Sequence, residues 1–141
     1  MTARGPALKL RLAGDDAALE PTRLAVLNFL QPFAPSARAA YAVELVLEEL
    51  LTNHFKYATA HRADAVLELT LQLEPGAVVL HFADDGAPFD PLQAPAPPVP
   101  ASIGEARVGG LGLVLIRRFA RSATYEHRDG RNCLTVSVAL D

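Results

Sequence analysis

The alternation of apolar and polar residues predicts two strands in the first two thirds of the chain, and a turn signal predicts a third. Residues 8–13 (LKLRLA) and 66–73 (VLELTLQL) alternate strictly, as strands with one buried face do. Residues 77–83 (AVVLHFA) follow the second of these after the turn-forming sequence Glu74-Pro75-Gly76. We therefore predict that these last two strands form an antiparallel hairpin.

Apolar residues at helical spacing predict two helices between the first strand and this hairpin. The first helix covers residues 17–33, and one of its sides is expected to face the core. That side carries Leu19, Leu24, Leu27 and Leu30. The second helix is longer and runs to about residue 60, with Ser36 as its predicted N-terminal cap.

A third helix, over residues 109–121, and a final hairpin complete the predicted order of elements. The hairpin joins residues 123–127 to residues 132–140 through Asp129-Gly130, a dipeptide typical of two-residue turns. This order predicts an α/β two-layer sandwich, in which a mixed, mostly antiparallel sheet has its helices on one face. We expect residues 1–141 to form a single domain.

Composition and charge exclude several classes of protein. The net charge is −3 and no basic run is present, which argues against nucleic acid as a partner. The apolar run at residues 111–116 is far shorter than the roughly 20 residues that span a bilayer, so no membrane partner is expected. The single Cys133 excludes an internal disulfide and fits a cytoplasmic protein.

The second helix carries a polar stripe on an otherwise apolar surface. Steps of four and three place Glu49, Asn53 and Lys56 on one face, where a buried carboxylate must be paired, solvated in a cleft or bound to a ligand. Glu49 could pair with Asn53 or Lys56 as a polar edge of the helix. Alternatively, Glu49 is a base and the Asn53 oxygen holds hydrated Mg²⁺. Glu48, about 100° round the helix, is expected to be the solvent-exposed carboxylate of the two.

The sequence Asp84-Asp85-Gly86 ends the strand at residues 77–83 and allows two interpretations. An Asp-Gly pair is normally a hairpin turn, but here a proline-rich loop follows instead of a strand. Alternatively, a buried Asp84 could accept a hydrogen bond from an exocyclic amine such as that of adenine. Gly86 would then let the backbone approach the ligand closely.

The glycine cluster Gly109-Gly110-Leu111-Gly112 also allows two interpretations. It is either a flexible joint after the loop or an anion site, because the free N–H groups at a helix start attract negative charge. No Lys-Ser or Lys-Thr follows, so the cluster is not a Walker loop. Arg107 could add a phosphate contact or could simply be solvated.

Taken in order, these motifs resemble the GHKL (Bergerat-fold) ATPases. Among them, the chain is most similar to the stand-alone anti-sigma-factor serine/threonine kinases of bacterial partner-switching systems. The resemblance runs from about residue 8 to residue 140. Four stretches carry it: EELLTNHFKYA at 48–58, DDGAPFDP at 84–91, VGGLGLVLIRRFA at 108–120 and NCLTVSV at 132–138.

The resemblance implies a role for each residue at the catalytic and adenine-binding ends of the site. Glu49 would be the catalytic base that takes the proton from an attacking hydroxyl, and Asn53 would bind Mg²⁺. Asp84 would accept from the adenine amino group, with Gly86 beside it. Thr135 would help to hold the adenine.

At the phosphates, the resemblance implies contacts from the two glycines Gly110 and Gly112 and from the basic residue Lys56. Arg107 is the further candidate for a phosphate contact. Residues 88–108 correspond to the mobile ATP lid, although their proline content also suits a stiff recognition element with polyproline II character. His54 is bulky for its position in the family and is expected to be a histidine at the edge of the core.

The resemblance further implies an ATP- and Mg²⁺-dependent serine/threonine protein kinase. Its substrate would be a small anti-sigma-factor antagonist protein, and it would also bind a sigma factor or a similar regulator, as a homodimer. The alternative is an ATP-binding regulatory module that binds a partner without phosphoryl transfer. A histidine kinase is disfavoured because residues 17–33 contain no histidine that could accept a phosphoryl group.

Overall fold

The computed structural model describes residues 5–13, 16–55, 66–86 and 116–141, together with Pro88, Asp90 and Leu92. The strands are β1 (Ala7–Ala13), β2 (Val66–Glu74), β3 (Ala77–Asp84), β4 (Ser122–Arg128) and β5 (Arg131–Ala139). The helices are α1 (Leu19–Leu30) and α2 (Ala37–Asn53), with a further helical turn at residues 116–119. The strands form one five-stranded sheet in the order β1-β2-β3-β5-β4.

The sheet has an apolar face and a polar face because side chains alternate along each strand. The apolar face packs against the buried sides of α1 and α2 and forms the core with them. In β2, this face carries Leu67, Leu69, Leu71 and Leu73. The predicted two-layer α/β sandwich is confirmed, and every pair of neighbouring strands in the described part of the chain is antiparallel.

Helix α2 is fixed to the rest of the fold at its first residues. The Ser36 hydroxyl accepts the backbone N–H of Ala39 at 3.0 Å, which confirms Ser36 as the N-terminal cap. The Ser36 N–H donates to the carbonyl of Leu140 at 2.8 Å, so the start of α2 is attached to the end of β5. About two turns later, Glu44 accepts from the Arg23 guanidinium of α1 at 2.7 Å.

The buried side of α1 differs from the predicted one. Thr22, Val26 and Leu30 are buried, whereas Leu24 is 48% exposed. The expectation that Leu24 faces the core is therefore wrong. Successive helical residues are separated by about 100°, so Leu24 lies nearly opposite Val26, and only one of the two can face the sheet.

The turn between β4 and β5 has the predicted chemistry. Asp129 and Gly130 have φ angles of 55° and 74°, as a two-residue turn of type I′ requires. The predicted end of the second helix near residue 60 and the predicted start of the third helix lie outside the described residues. No helix in the described part of the chain is long and apolar enough to cross a membrane.

Replacing Leu69 by alanine should test the packing of the sheet against the helices. Leu69 is fully buried in β2, so Leu69→Ala should lower the free energy of unfolding by about 2–5 kcal/mol. Leu24→Ala is the matched control and should change it by no more than about 0.5 kcal/mol. Urea unfolding followed by circular dichroism measures both. Equal losses would contradict the assignment of the core face.

Candidate functional site

The end of α2 and the end of β3 meet at the edge of the core. The His54 Nδ1 atom, directly after α2, lies 3.5 Å from the Asp84 Oδ2 atom at the end of β3. The two residues belong to different motifs, at 48–58 and 84–91. The fold therefore brings together two stretches that the sequence could relate only by their order.

Asp84 is held by neighbours on its own strand end and on β5. Its Oδ1 atom accepts the backbone N–H of Gly86 and the carboxamide Nδ2 of Asn132, both at 2.9 Å. The Gly86 contact is a local turn in which an Asp side chain bonds the backbone two residues on. This local turn is not the hairpin turn of the first interpretation, because β3 pairs with β2 and β5. The second interpretation, an acceptor for an exocyclic amine, stays a prediction.

Asn132 is the residue of this cluster that the sequence analysis missed. It is the direct partner of Asp84 in the pairing of β3 with β5, and the residue is 9% exposed. The Tyr125 hydroxyl donates to its Oδ1 atom, so a chain of hydrogen bonds runs from Tyr125 through Asn132 to Asp84. An asparagine at the first positions of a strand that follows an Asp-Gly turn was the available signal.

Electrostatics keep Asp84 ionised at neutral pH. Burial alone would raise the pKa of its carboxyl, but the contacts with His54, Asn132 and Gly86 lower that pKa by more. The pKa therefore lies below the usual value for an aspartate. An ionised carboxylate has no proton to donate, so Asp84 can only accept hydrogen bonds.

The polar stripe of α2 ends at Asn53, directly before His54 of this cluster. Glu49 is 5% exposed, and Asn53 is half-buried one turn later as the last residue of the helix. Glu48 is exposed, as predicted from its angle round the helix. Lys56, the third predicted member of the stripe, lies outside the described residues.

The donor set at the end of α2 suits Mg²⁺. The Asn53 carboxamide offers one oxygen, and this cation binds oxygen ligands while keeping several of its waters. In the ranges that the structure describes, no three His, Cys, Asp or Glu side chains cluster so as to hold a metal by themselves. A cation at Asn53 would therefore depend on water and on a bound phosphate for its other ligands.

Thr135 does not reach this cluster. Its hydroxyl lies 2.9 Å from the His81 Nδ1 atom, its cross-strand neighbour on the polar face of the sheet. Asn132 and Thr135 are three positions apart on one strand, so their side chains must lie on opposite faces. The expected adenine contact from Thr135 is therefore corrected, and Asn132 is the β5 residue beside Asp84.

The remaining predicted phosphate contacts, Arg107, Gly110 and Gly112, lie outside the described residues, as does most of the predicted lid at 88–108. One described contact joins the lid region to the helical turn at residues 116–119. The guanidinium of Arg117 donates to the carbonyl of Leu92.

The lowered pKa of Asp84 predicts a pH-dependent contribution to stability. Its unfolded pKa is about 3.9 and its folded pKa is lower, so the contribution is present above about pH 4 and is lost as the pH falls through the folded pKa. Asp84→Asn should lower the free energy of unfolding at pH 7 by about 1 kcal/mol or more.

Urea unfolding of the wild type and of Asp84→Asn between pH 7 and pH 3 measures this effect. The difference between the two proteins should be constant near neutrality and shrink below about pH 4. The lowered pKa of His81, caused by burial and by Arg128 and Arg131, affects both proteins equally and cancels. A difference that persists unchanged into acid would show that Asp84 is not stabilised as a carboxylate.

Comparison with known proteins places this geometry in a family. The sequence profile of the family described as "Histidine kinase-like ATPase domain" matches residues 12–138. The chain is also 40% identical over 102 residues to the serine/threonine-protein kinase BtrW of Bordetella bronchiseptica, an alignment that covers 72% of each protein.

Solved structures agree on the fold. The histidine kinase domain of the Erythrobacter litoralis EL346 blue-light activated histidine kinase aligns with a TM-score of 0.52 at 20% identity, over 73% of this chain and 45% of that one. The Acinetobacter baumannii histidine kinase AdeS aligns with a TM-score of 0.50 at 14% identity, over 94% and 68%. The resemblance to GHKL ATPases is thereby confirmed, and the chain belongs to the histidine kinase-like ATPase domain family.

Proposed function

We propose that this protein is an ATP-dependent serine/threonine protein kinase of the anti-sigma-factor type. The observation that carries the proposal is the contact between His54 and Asp84. This contact brings the carboxylate of Asp84, an ionised acceptor suited to a nucleotide base, next to the end of α2. Asn53 and Glu49 lie in the last turns of that helix. The 40% identity to a protein named as a serine/threonine-protein kinase supports the choice of kinase class.

In this proposal, Asp84 recognises the adenine amino group. An acceptor-only carboxylate matches the N–H groups of an exocyclic amine and mismatches a carbonyl oxygen at the same position. Gly86 and Asn132 hold the carboxylate by the 2.9 Å bonds to Oδ1. Asn132 thus takes the place beside the base that the family resemblance had given to Thr135.

The phosphates would lie towards the end of α2. Asn53 would hold Mg²⁺, whose charge offsets that of the phosphates. The oxygen of a serine or threonine hydroxyl would form a bond to the γ-phosphorus while the bond from that phosphorus to the β-γ bridging oxygen breaks. Glu49 would take the proton of the attacking hydroxyl. Lys56, Gly110 and Gly112, with Arg107, are proposed as further phosphate contacts by resemblance.

The proposed acceptor is a small anti-sigma-factor antagonist protein in a cytoplasmic partner-switching system, with a sigma factor as a further partner and a homodimer as the assembly. One observation favours a second candidate, an ATP-binding module that transfers nothing. Glu49 is 5% exposed, and a buried carboxylate is poorly accessible to the hydroxyl of a protein substrate. The two candidates differ in the role of Glu49.

Removal of the Asp84 charge tests the nucleotide site. Isothermal titration calorimetry should detect ATP binding to the wild type, strengthened by Mg²⁺, and Asp84→Asn should abolish it, because the amide presents a donor where an acceptor is needed. Asp85→Asn is the matched control. Its side chain accepts a long 3.3 Å bond from the Val66 N–H, which an amide oxygen can also accept. Its ATP affinity should be unchanged.

Thermal unfolding provides a second measurement of the same binding. ATP at about 100 times its dissociation constant should stabilise the wild type by roughly 2.7 kcal/mol and leave Asp84→Asn unchanged. Absence of heat and of stabilisation at millimolar ATP in the wild type would overturn the proposed function.

Glu49→Gln separates the two candidate functions. The variant should bind ATP with wild-type affinity and transfer phosphate to a purified antagonist protein about 10²–10⁴-fold more slowly, because it lacks the general base. Glu48→Gln is the matched control, since Glu48 is exposed, and should transfer at the wild-type rate. Radiolabelled ATP measures transfer. Unchanged transfer by Glu49→Gln would remove Glu49 from the mechanism.

A further inference from the structure

His54 is a buried imidazole that lies beside the carboxylate of Asp84. Its side chain is 2% exposed, and its Nδ1 atom lies 3.5 Å from the Asp84 Oδ2 atom. Neither ring nitrogen forms a conventional hydrogen bond within the described part of the chain. A polar group buried in this way costs free energy relative to an apolar side chain of similar size, so a packing role alone does not account for an imidazole here.

The position of the ring is fixed by its surroundings. The His54 N–H donates to the carbonyls of Leu50 and Leu51, which ties the residue to the last turns of α2. The ring packs edge-to-face on Phe55, with centroids 5.4 Å apart. These contacts hold the imidazole beside Asp84.

The two oxygens of the Asp84 carboxylate are used differently. A carboxylate oxygen can accept about two hydrogen bonds, and Oδ1 already accepts those of Gly86 and Asn132. Oδ2 faces His54 and keeps a second acceptor position. A ligand amine that bonds Asp84 without displacing a neighbour must therefore bond Oδ2.

We propose that His54 is a positioning residue for nucleotide recognition. Its Nδ1–H donates to one acceptor position of the Asp84 Oδ2 atom. The second acceptor position of Oδ2 then faces the exocyclic amine of the base. His54 acts through Asp84 and does not touch the ligand in this assignment. The inference rests on the proposed function, because it requires a bound nucleotide with an exocyclic amine.

A structural role and a positioning role predict opposite results for His54→Leu. If His54 only fills space, leucine removes a buried polar group and should leave stability and binding unchanged or improved. If His54 positions Asp84, leucine should weaken the bond to the base amine. ATP carries that amine, whereas inosine triphosphate carries a carbonyl oxygen in its place, so the ratio of their affinities isolates the bond.

The experiment measures ATP and inosine triphosphate binding by calorimetry for the wild type, His54→Leu and His54→Asn. The wild type should prefer ATP. His54→Leu should lose about tenfold in ATP affinity and nothing in inosine triphosphate affinity, the loss expected for one hydrogen bond to a charged group. His54→Asn should restore most of the preference, because its amide N–H can replace the Nδ1–H.

The failures of the two proposals are distinguishable. If the wild type binds no ATP, the proposed function falls and this inference with it. If the wild type binds ATP through Asp84 but His54→Leu keeps the full preference over inosine triphosphate, only the positioning role is overturned. An equal loss for both nucleotides also overturns it, since that result indicates general disruption of the site.

A measurement on the wild type decides the question even where His54→Leu fails to fold. Nitrogen-15 NMR at pH 7 identifies which ring nitrogen of His54 carries a proton. A protonated Nδ1, with a chemical shift that changes in Asp84→Asn, supports the assignment. A bare Nδ1 cannot donate to Asp84 and would falsify it.

Discussion

A carboxylate at the edge of the core constrains this end of the molecule. Asp84 lies where β3 ends, and burial of an ionised group is tolerated only when its oxygens are hydrogen-bonded. The donors are the Gly86 backbone N–H and the Asn132 carboxamide at the start of β5. The His54 Nδ1 atom, directly after α2, lies 3.5 Å from the other carboxylate oxygen. Satisfying one charge therefore fixes a strand end, a neighbouring strand and a helix end against each other.

The same pairing that supplies Asn132 removes Thr135 from the site. The register of β3 with β5 sets Asn132 opposite Asp84 and Thr135 opposite His81. A shift of one residue would turn every side chain of β5 to the other face, and Leu134, Val136 and Val138 would leave the core. The identity of the residue that supports Asp84 is thus decided by core packing, not by the chemistry of the site.

Local patterns predicted most of the fold because each strand buries one face. Alternation placed β2, and the turn at Glu74-Pro75-Gly76 placed β3 after it, each to within one residue of its observed end. Ser36 and Asp129-Gly130 marked a helix start and a turn by chemistry that acts within a few residues. The side of α1 that faces the core was not predictable in this way. Leucines and Val26 lie on several sides of that helix, and contact with the sheet decides which of them is buried.

The site was predictable where its residues share one element and not where they meet across elements. Glu49 and Asn53 lie one turn apart on α2, so helical spacing related them. Asn132 and Asp84 are 48 positions apart. The Asp-Gly turn marked Asn132 as an early residue of a strand, but a single sequence does not relate it to Asp84. The family resemblance implied an adenine contact from Thr135 on β5, but strand periodicity places Thr135 and Asp84 on opposite faces of the sheet.

Helix α2 fixes the positions of the two ends of the proposed site relative to each other. It is attached at its start through Ser36 and Leu140, along its length through Glu44 and Arg23, and after its end through His54. Phosphoryl transfer depends mainly on positioning, and small displacements of catalytic groups are costly. Because Glu49 and Asn53 lie between these attachments, the packing that stabilises the fold also sets their distance from the base acceptor.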